Sequence, residues 1–134
     1  MCQYDPRYLR GIELFNECEF FESHEAWEEL WADTQGPDRE FYQGLIQAAV
    51  ALHHFVNGNL RGARKVFSTC CSHLQPYRPK HLGLDLEQFL AQLRECFAPL
   101  LDSENPPRGI EIDPDKIPEI HLDPAPEPHK GESP

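Results

Sequence analysis

Phe20-Phe21-Glu22-Ser23-His24-Glu25-Ala26-Trp27-Glu28-Glu29-Leu30-Trp31 interleaves large aromatic side chains with ionisable ones, and no Gly or Pro interrupts it before Gly36. Read as a helix from Phe20 to Thr34, with about 100° between residues, it gathers Phe20, His24, Trp27, Glu28 and Trp31 into one sector, with Phe21 at its edge. That sector is expected to face a core, with Trp27 and Trp31 as packing aromatics. Glu22, Ala26 and Glu29 form the solvated side. His24 and Glu28 then need partners, because burying an unpaired neutral polar group costs roughly 2–7 kcal/mol and a charge costs more. Four residues apart, they can hydrogen-bond each other or share a cation.

The same periodicity extends in both directions. Asp5 before Pro6 is an N-cap with proline at the first helical position, and Tyr8, Leu9, Ile12 and Phe15 recur at helical spacing up to about Asn16. A break near Glu17 to Glu19 precedes the quoted helix, and Gln35-Gly36-Pro37 follows it. From Asp38 to Asn57 the chain is apolar around most of its circumference, which predicts a central, mostly buried helix. Gly58 suits its left-handed end, and Asn59 can cap the next helix, whose inner stripe is Leu60, Ala63, Phe67, Cys70, Cys71 and Leu74. Asp85 and Gln88 resemble a capping box, with Leu86, Phe89, Leu90, Leu93, Phe97 and Leu100 as a fifth stripe. The fold class predicted is all-α: one compact bundle of about five helices over residues 1–101.

From Asp102 onward the composition changes. Eight of the thirteen prolines fall here, with nine acidic residues against three basic ones. Residues 102–134 read as an extended, acidic, Pro-rich tail. Its scattered Ile110, Ile112, Ile117, Ile120 and Leu122 can anchor the first half across the bundle, and residues 124–134 read as disordered.

The net charge is −11 and no Lys/Arg cluster offsets it locally, so nucleic acid is not an expected partner. There is no run of eighteen apolar residues and no signal-like segment at Met1, so no membrane association is expected and the location predicted is cytoplasmic. Cys2, Cys18, Cys70, Cys71 and Cys96 lack any C-x-x-C spacing, which fits reduced thiols, Cys70 and Cys96 acting as small core hydrophobes.

A second polar stripe lies on the third helix. Gln43, Gln47 and His54 fall within about 40° of one another, flanked by Gly44 and Ala51, residues small enough for another helix to approach closely. The economical arrangement sets this stripe against His24 and Glu28, enclosing a pocket with Phe20, Trp27 and Trp31 as aromatic walls. His53 points about 100° away. His24, Glu28 and His54 are then candidate ligands for a divalent metal, zinc, iron or manganese, with Glu28 as the candidate base and hydrolysis of a small substrate as the first reaction class to test. Two other readings stand beside it. One is a pocket for a small organic ligand on Gln43, Gln47 and His54. The other is a non-catalytic protein-interaction module in which His24, Glu28, Gln43 and Gln47 only satisfy one another's hydrogen bonds and no cofactor is held.

His24, Glu28 and Trp31 form a His, three residues, Glu, two residues, Trp motif. With Leu14-Phe15-Asn16, Phe20-Phe21, Gln43-Gly44-Leu45-Ile46-Gln47, Ala51-Leu52-His53 and Gly58-Asn59 in order around it, the stretch from about Ile12 to Leu74 resembles the domain-of-unknown-function 309 family of small helical proteins. The resemblance implies an all-helical bundle and a motif proposed to bind metal. It implies no particular reaction.

Overall fold

Asp5 starts the first helix, α1 (Pro6–Asn16), as its spacing predicts: its carboxylate accepts from the Arg7 backbone N–H at 2.8 Å, and Pro6 leaves no N–H to satisfy. The computed structural model describes residues 4–102 and 108–126. α1 ends in a left-handed turn at Cys18 (φ 62°), closed by Cys18 N–H to Phe15 C=O and Glu19 N–H to Leu14 C=O, both 2.9 Å. These two bonds satisfy carbonyls the helix leaves open. α2 (Phe20–Asp33), α3 (Arg39–Val56) and α4 (Leu60–Leu74) follow, and α5 is Leu86–Leu101. All five expected helices are present, each near its expected bounds.

The caps read from sequence are made. Gly58 (φ 79°) ends α3, with Asn59 N–H on His54 C=O at 2.8 Å; the Asn59 side chain then caps α4 through Gly62 N–H, and Asp85 caps α5 through Gln88 N–H at 3.0 Å. Between α4 and α5 lies an element the periodicity does not announce. β1 (Lys80–His81) and β2 (Leu84–Asp85) pair antiparallel across Leu82-Gly83, both with positive φ, as a two-residue hairpin turn requires.

α1 packs on α2, α2 on α3 and α3 on α4 in chain order, with α5 against α4. Two glycines set the close approaches. A Cβ on Gly11 would lie 2.0 Å from Trp27 Nε1, so Trp27 of α2 packs flat on the α1 backbone; a Cβ on Gly44 would lie 2.5 Å from Leu74, so α4 sits equally close on α3. Trp27 is wholly buried and donates its indole N–H to Tyr8 C=O at 3.1 Å. Cys70 and Cys96 are buried in the core as expected, and burial pushes both thiols up, Cys96 to about 11.

The sector of α2 facing the core is corrected. Its buried residues are Phe20, Ser23, Trp27 and Leu30, a face rotated by roughly 60° from the expected one at helical spacing. The cause is Ser23, whose hydroxyl donates to Gly11 C=O at 2.8 Å and so sits at no cost against α1. Glu28 is thereby carried out to solvent, Trp31 becomes half-buried and Phe21 is 48% exposed.

The described part of the acidic segment runs over the bundle. Ile120 is buried, and its backbone makes a two-bond clasp with the Asn16 side chain: Asn16 Nδ2 donates to Ile120 C=O at 2.9 Å and Ile120 N–H to Asn16 Oδ1 at 2.8 Å. Ile110, Ile112, Ile117 and Leu122 pack alongside as expected. It has a turn at Arg108–Gly109, a 3-10 turn at Pro114–Lys116 and a bend at Asp123–Pro124, with irregular chain between them. Of the terminus expected to be disordered, residues 127–134 lie outside the described residues, as does Cys2.

Candidate functional site

The outer edge of α2 carries His24 and Glu28, one helical turn apart. His24 is 19% exposed at its side chain and Glu28 59%, and His24 Nε2 lies 3.8 Å from Glu28 Oε2. The other ring nitrogen, Nδ1, sits 2.7 Å from the backbone oxygen of Phe21. A carbonyl oxygen can only accept, so Nδ1 carries the proton and, in the neutral ring, Nε2 presents a lone pair toward the carboxylate. Two acceptors facing each other at 3.8 Å make no hydrogen bond. Both atoms then present lone pairs along one edge of α2.

Phe21 roofs this edge. Its ring packs on His24 at 5.0 Å between centroids and on His53 at 5.5 Å, and His53 in turn lies 6.3 Å from His54. His53, set aside in the sequence reading, is therefore the histidine that α3 brings toward the α2 pair, with Phe21 between them. His54 is turned toward the α4 cap, its Nδ1 3.3 Å from Asn59 Nδ2. The rotation of α2 explains the exchange, because it moves His24 toward the flank of α3 on which His53 lies.

The two polar stripes do not meet. Gln47 Oε1 accepts from His73 Nδ1 of α4 at 2.8 Å, and Gly44, which flanks the stripe, is covered by Leu74. Gly44 admits α4, and Gln47 belongs to the α3–α4 seam. Phe20 and Trp27 are core residues, while Trp31 forms a surface platform: the Arg39 guanidinium lies 3.9 Å over its ring and also donates to the Trp31 and Thr34 carbonyls at 3.0 and 3.1 Å, closing the C-terminus of α2. Among the described residues no three His, Cys, Asp or Glu side chains converge as a metal cluster.

One further polar pair was not foreseen. His81 Nε2 lies 2.7 Å from Asp38 Oδ1, with the His81 ring against Phe41 and Tyr77 at 4.7 and 4.8 Å. His81 reaches Asp38 only because of the short hairpin, for which the sequence gives little signal beyond Gly83.

The chain is an all-helical bundle with a His, three residues, Glu pair on the outer edge of its second helix. Residues 8–66 match the model of the family described as domain of unknown function (DUF309). The chain is also similar to an uncharacterized protein of Aquifex aeolicus (strain VF5), 30% identical over 94 residues, which are 69% of this chain and 28% of the relative. It is similar as well to the uncharacterized protein YpuF of Bacillus subtilis (strain 168), 30% identical over 98 residues, 70% of this chain and 56% of the relative. The chain thus spans about a quarter and about half of the length of these relatives.

Proposed function

We propose that the α2 edge binds a divalent metal ion through His24 Nε2 and a Glu28 carboxylate oxygen. The observation that carries this reading is the 2.7 Å approach of His24 Nδ1 to Phe21 C=O, which calls for the proton on Nδ1 and leaves Nε2 toward Glu28. A backbone carbonyl on the far nitrogen is the usual outer-shell support of a ligating histidine. Two ligand atoms on a tetrahedral zinc lie roughly 3.4 Å apart, so the 3.8 Å span needs only a shift of a few tenths of an ångström in the exposed Glu28 side chain to meet it. One nitrogen and one carboxylate oxygen suit zinc, iron or manganese. The donor set is open, so solvent or a small substrate would complete it, and His53 behind Phe21 is a nearer candidate for a third protein ligand than His54. When bound, such an ion would supply Lewis acidity at this edge, and hydrolysis is the first reaction class to assay.

Elemental analysis of protein purified without chelator or His tag tests this, beside His24→Ala and Glu28→Ala. Near-stoichiometric metal in the parent and its loss in both variants is the expected result. Because Glu28 is surface-exposed and His24 lies at the edge, both variants should melt within a few degrees of the parent. Metal-free parent protein that also fails to take up added zinc would end the proposal.

A further inference from the structure

The molecule is strongly acidic, yet four of its twelve basic residues border one groove between α4 and α5. Arg61, Arg64 and Lys65 come from the first two turns of α4 at helical spacing, and Arg94 comes from α5; the acidic composition of the chain conceals this cluster, which corrects the expectation that none exists. The groove encloses about 990 Å³, with Phe67 and Leu101 also lining it and no acidic residue among its lining. Among the described residues, none of the four cations has a carboxylate within 4.0 Å. Arg64 Nε is shielded from solvent and has no hydrogen-bond partner there, a state that costs free energy unless a ligand accepts from it. Ser68, Thr69 and Ser72 continue along the groove, the Thr69 and Ser72 hydroxyls donating to carbonyls one turn back at 3.2 and 3.3 Å. Those hydroxyls can rotate to meet an incoming acceptor.

We infer that this groove binds a small polyanionic phosphate compound, its phosphoryl oxygens held by the guanidinium groups of Arg61, Arg64 and Arg94 and by Lys65. Planar guanidinium forks match phosphate oxygens two at a time, and several such forks favour a ligand with more than one phosphoryl group. The size is at the upper end for a small-molecule pocket. A long polymer is disfavoured, because beyond the groove it would run over a surface with a large excess of negative charge.

The test is calorimetric titration of the full chain with inorganic triphosphate and pyrophosphate, at about 0.15 M salt so that diffuse attraction is screened. Arg64→Gln with Arg94→Gln is compared with Arg108→Gln, which removes an exposed cation outside the groove. Saturable triphosphate binding that weakens at least tenfold in the double variant and is unchanged in Arg108→Gln supports the site, provided circular dichroism shows the fold intact. Three results overturn it: no saturable binding, citrate binding as tightly as triphosphate, or tighter binding to a single-stranded RNA oligonucleotide or to phosphoinositide vesicles than to triphosphate. If the double variant does not fold, Lys65→Gln in its place gives the same comparison.

Discussion

Ser23 and Gly11 decide which way α2 faces, and therefore what His24 and Glu28 can do. The hydroxyl of Ser23 is satisfied by Gly11 C=O, and the missing side chain of Gly11 makes room for Trp27. Gly11→Ala places a methyl group inside the indole, an overpacking for which about 1–3 kcal/mol or more is expected. A chemical denaturation midpoint lowered accordingly, with a red-shifted Trp emission, is the predicted outcome; unchanged stability would mean that the α1–α2 seam is looser than described. This residue pair also marks what the sequence could not tell. A serine between a glutamate and a histidine reads as solvent-facing, and only the partner carbonyl on another helix makes it a core residue. Trp27 was legible as core because bulk and periodicity agree, and the His24–Glu28 turn was legible because spacing alone fixes it.

Helix ends were the most readable elements. Asp5, Asn59 and Asp85 cap where their side chains can reach an N–H two or three residues on, and Gly58 ends α3 where positive φ is needed. The end of α1 uses the same closing bonds without a glycine, since Cys18 occupies the left-handed position. A side chain there costs roughly 1 kcal/mol. Cys18→Gly should therefore raise the melting temperature by a few degrees, measurable by differential scanning calorimetry, because the exposed Cys18 side chain contributes little packing in exchange. The Lys80–Asp85 hairpin stayed hidden for the opposite reason. Two residues per strand are too few for an alternating pattern, and its geometry is held by long-range contacts, among them Tyr8 O–H to Leu82 C=O at 3.0 Å and His81 to Asp38. The polar stripe of α3 is legible in the sequence but its neighbour is not, because glycine and glutamine on a helix face show that something approaches, not which helix does.

At the scale of the whole molecule, two tyrosines at the seam of α1, α3 and the hairpin couple stability to alkaline pH. Burial, reinforced by the Asp38 carboxylate, pushes Tyr42 up to about 12, and burial raises Tyr8 further. With an unfolded phenol near pH 10, the unfolded chain loses these protons first, so their contribution to stability is fully present below about pH 10 and falls as pH rises toward 12. Urea unfolding between about pH 9 and 11.5 should show this decline, shallower in Tyr42→Phe. An identical slope in the variant would remove Tyr42 from the explanation. The bundle thus has a well-packed interior, an anion-compatible groove on one side and the His24–Glu28 edge on another. The functional reading of that edge rests on the proton of one imidazole. Long-range ¹H–¹⁵N correlation of the histidine side chains at about pH 8, where an imidazole is neutral, reads it directly. The account predicts His24 protonated on Nδ1 with a bare Nε2 whose resonance shifts on adding one equivalent of zinc, and a proton on Nε2 unmoved by zinc would contradict it.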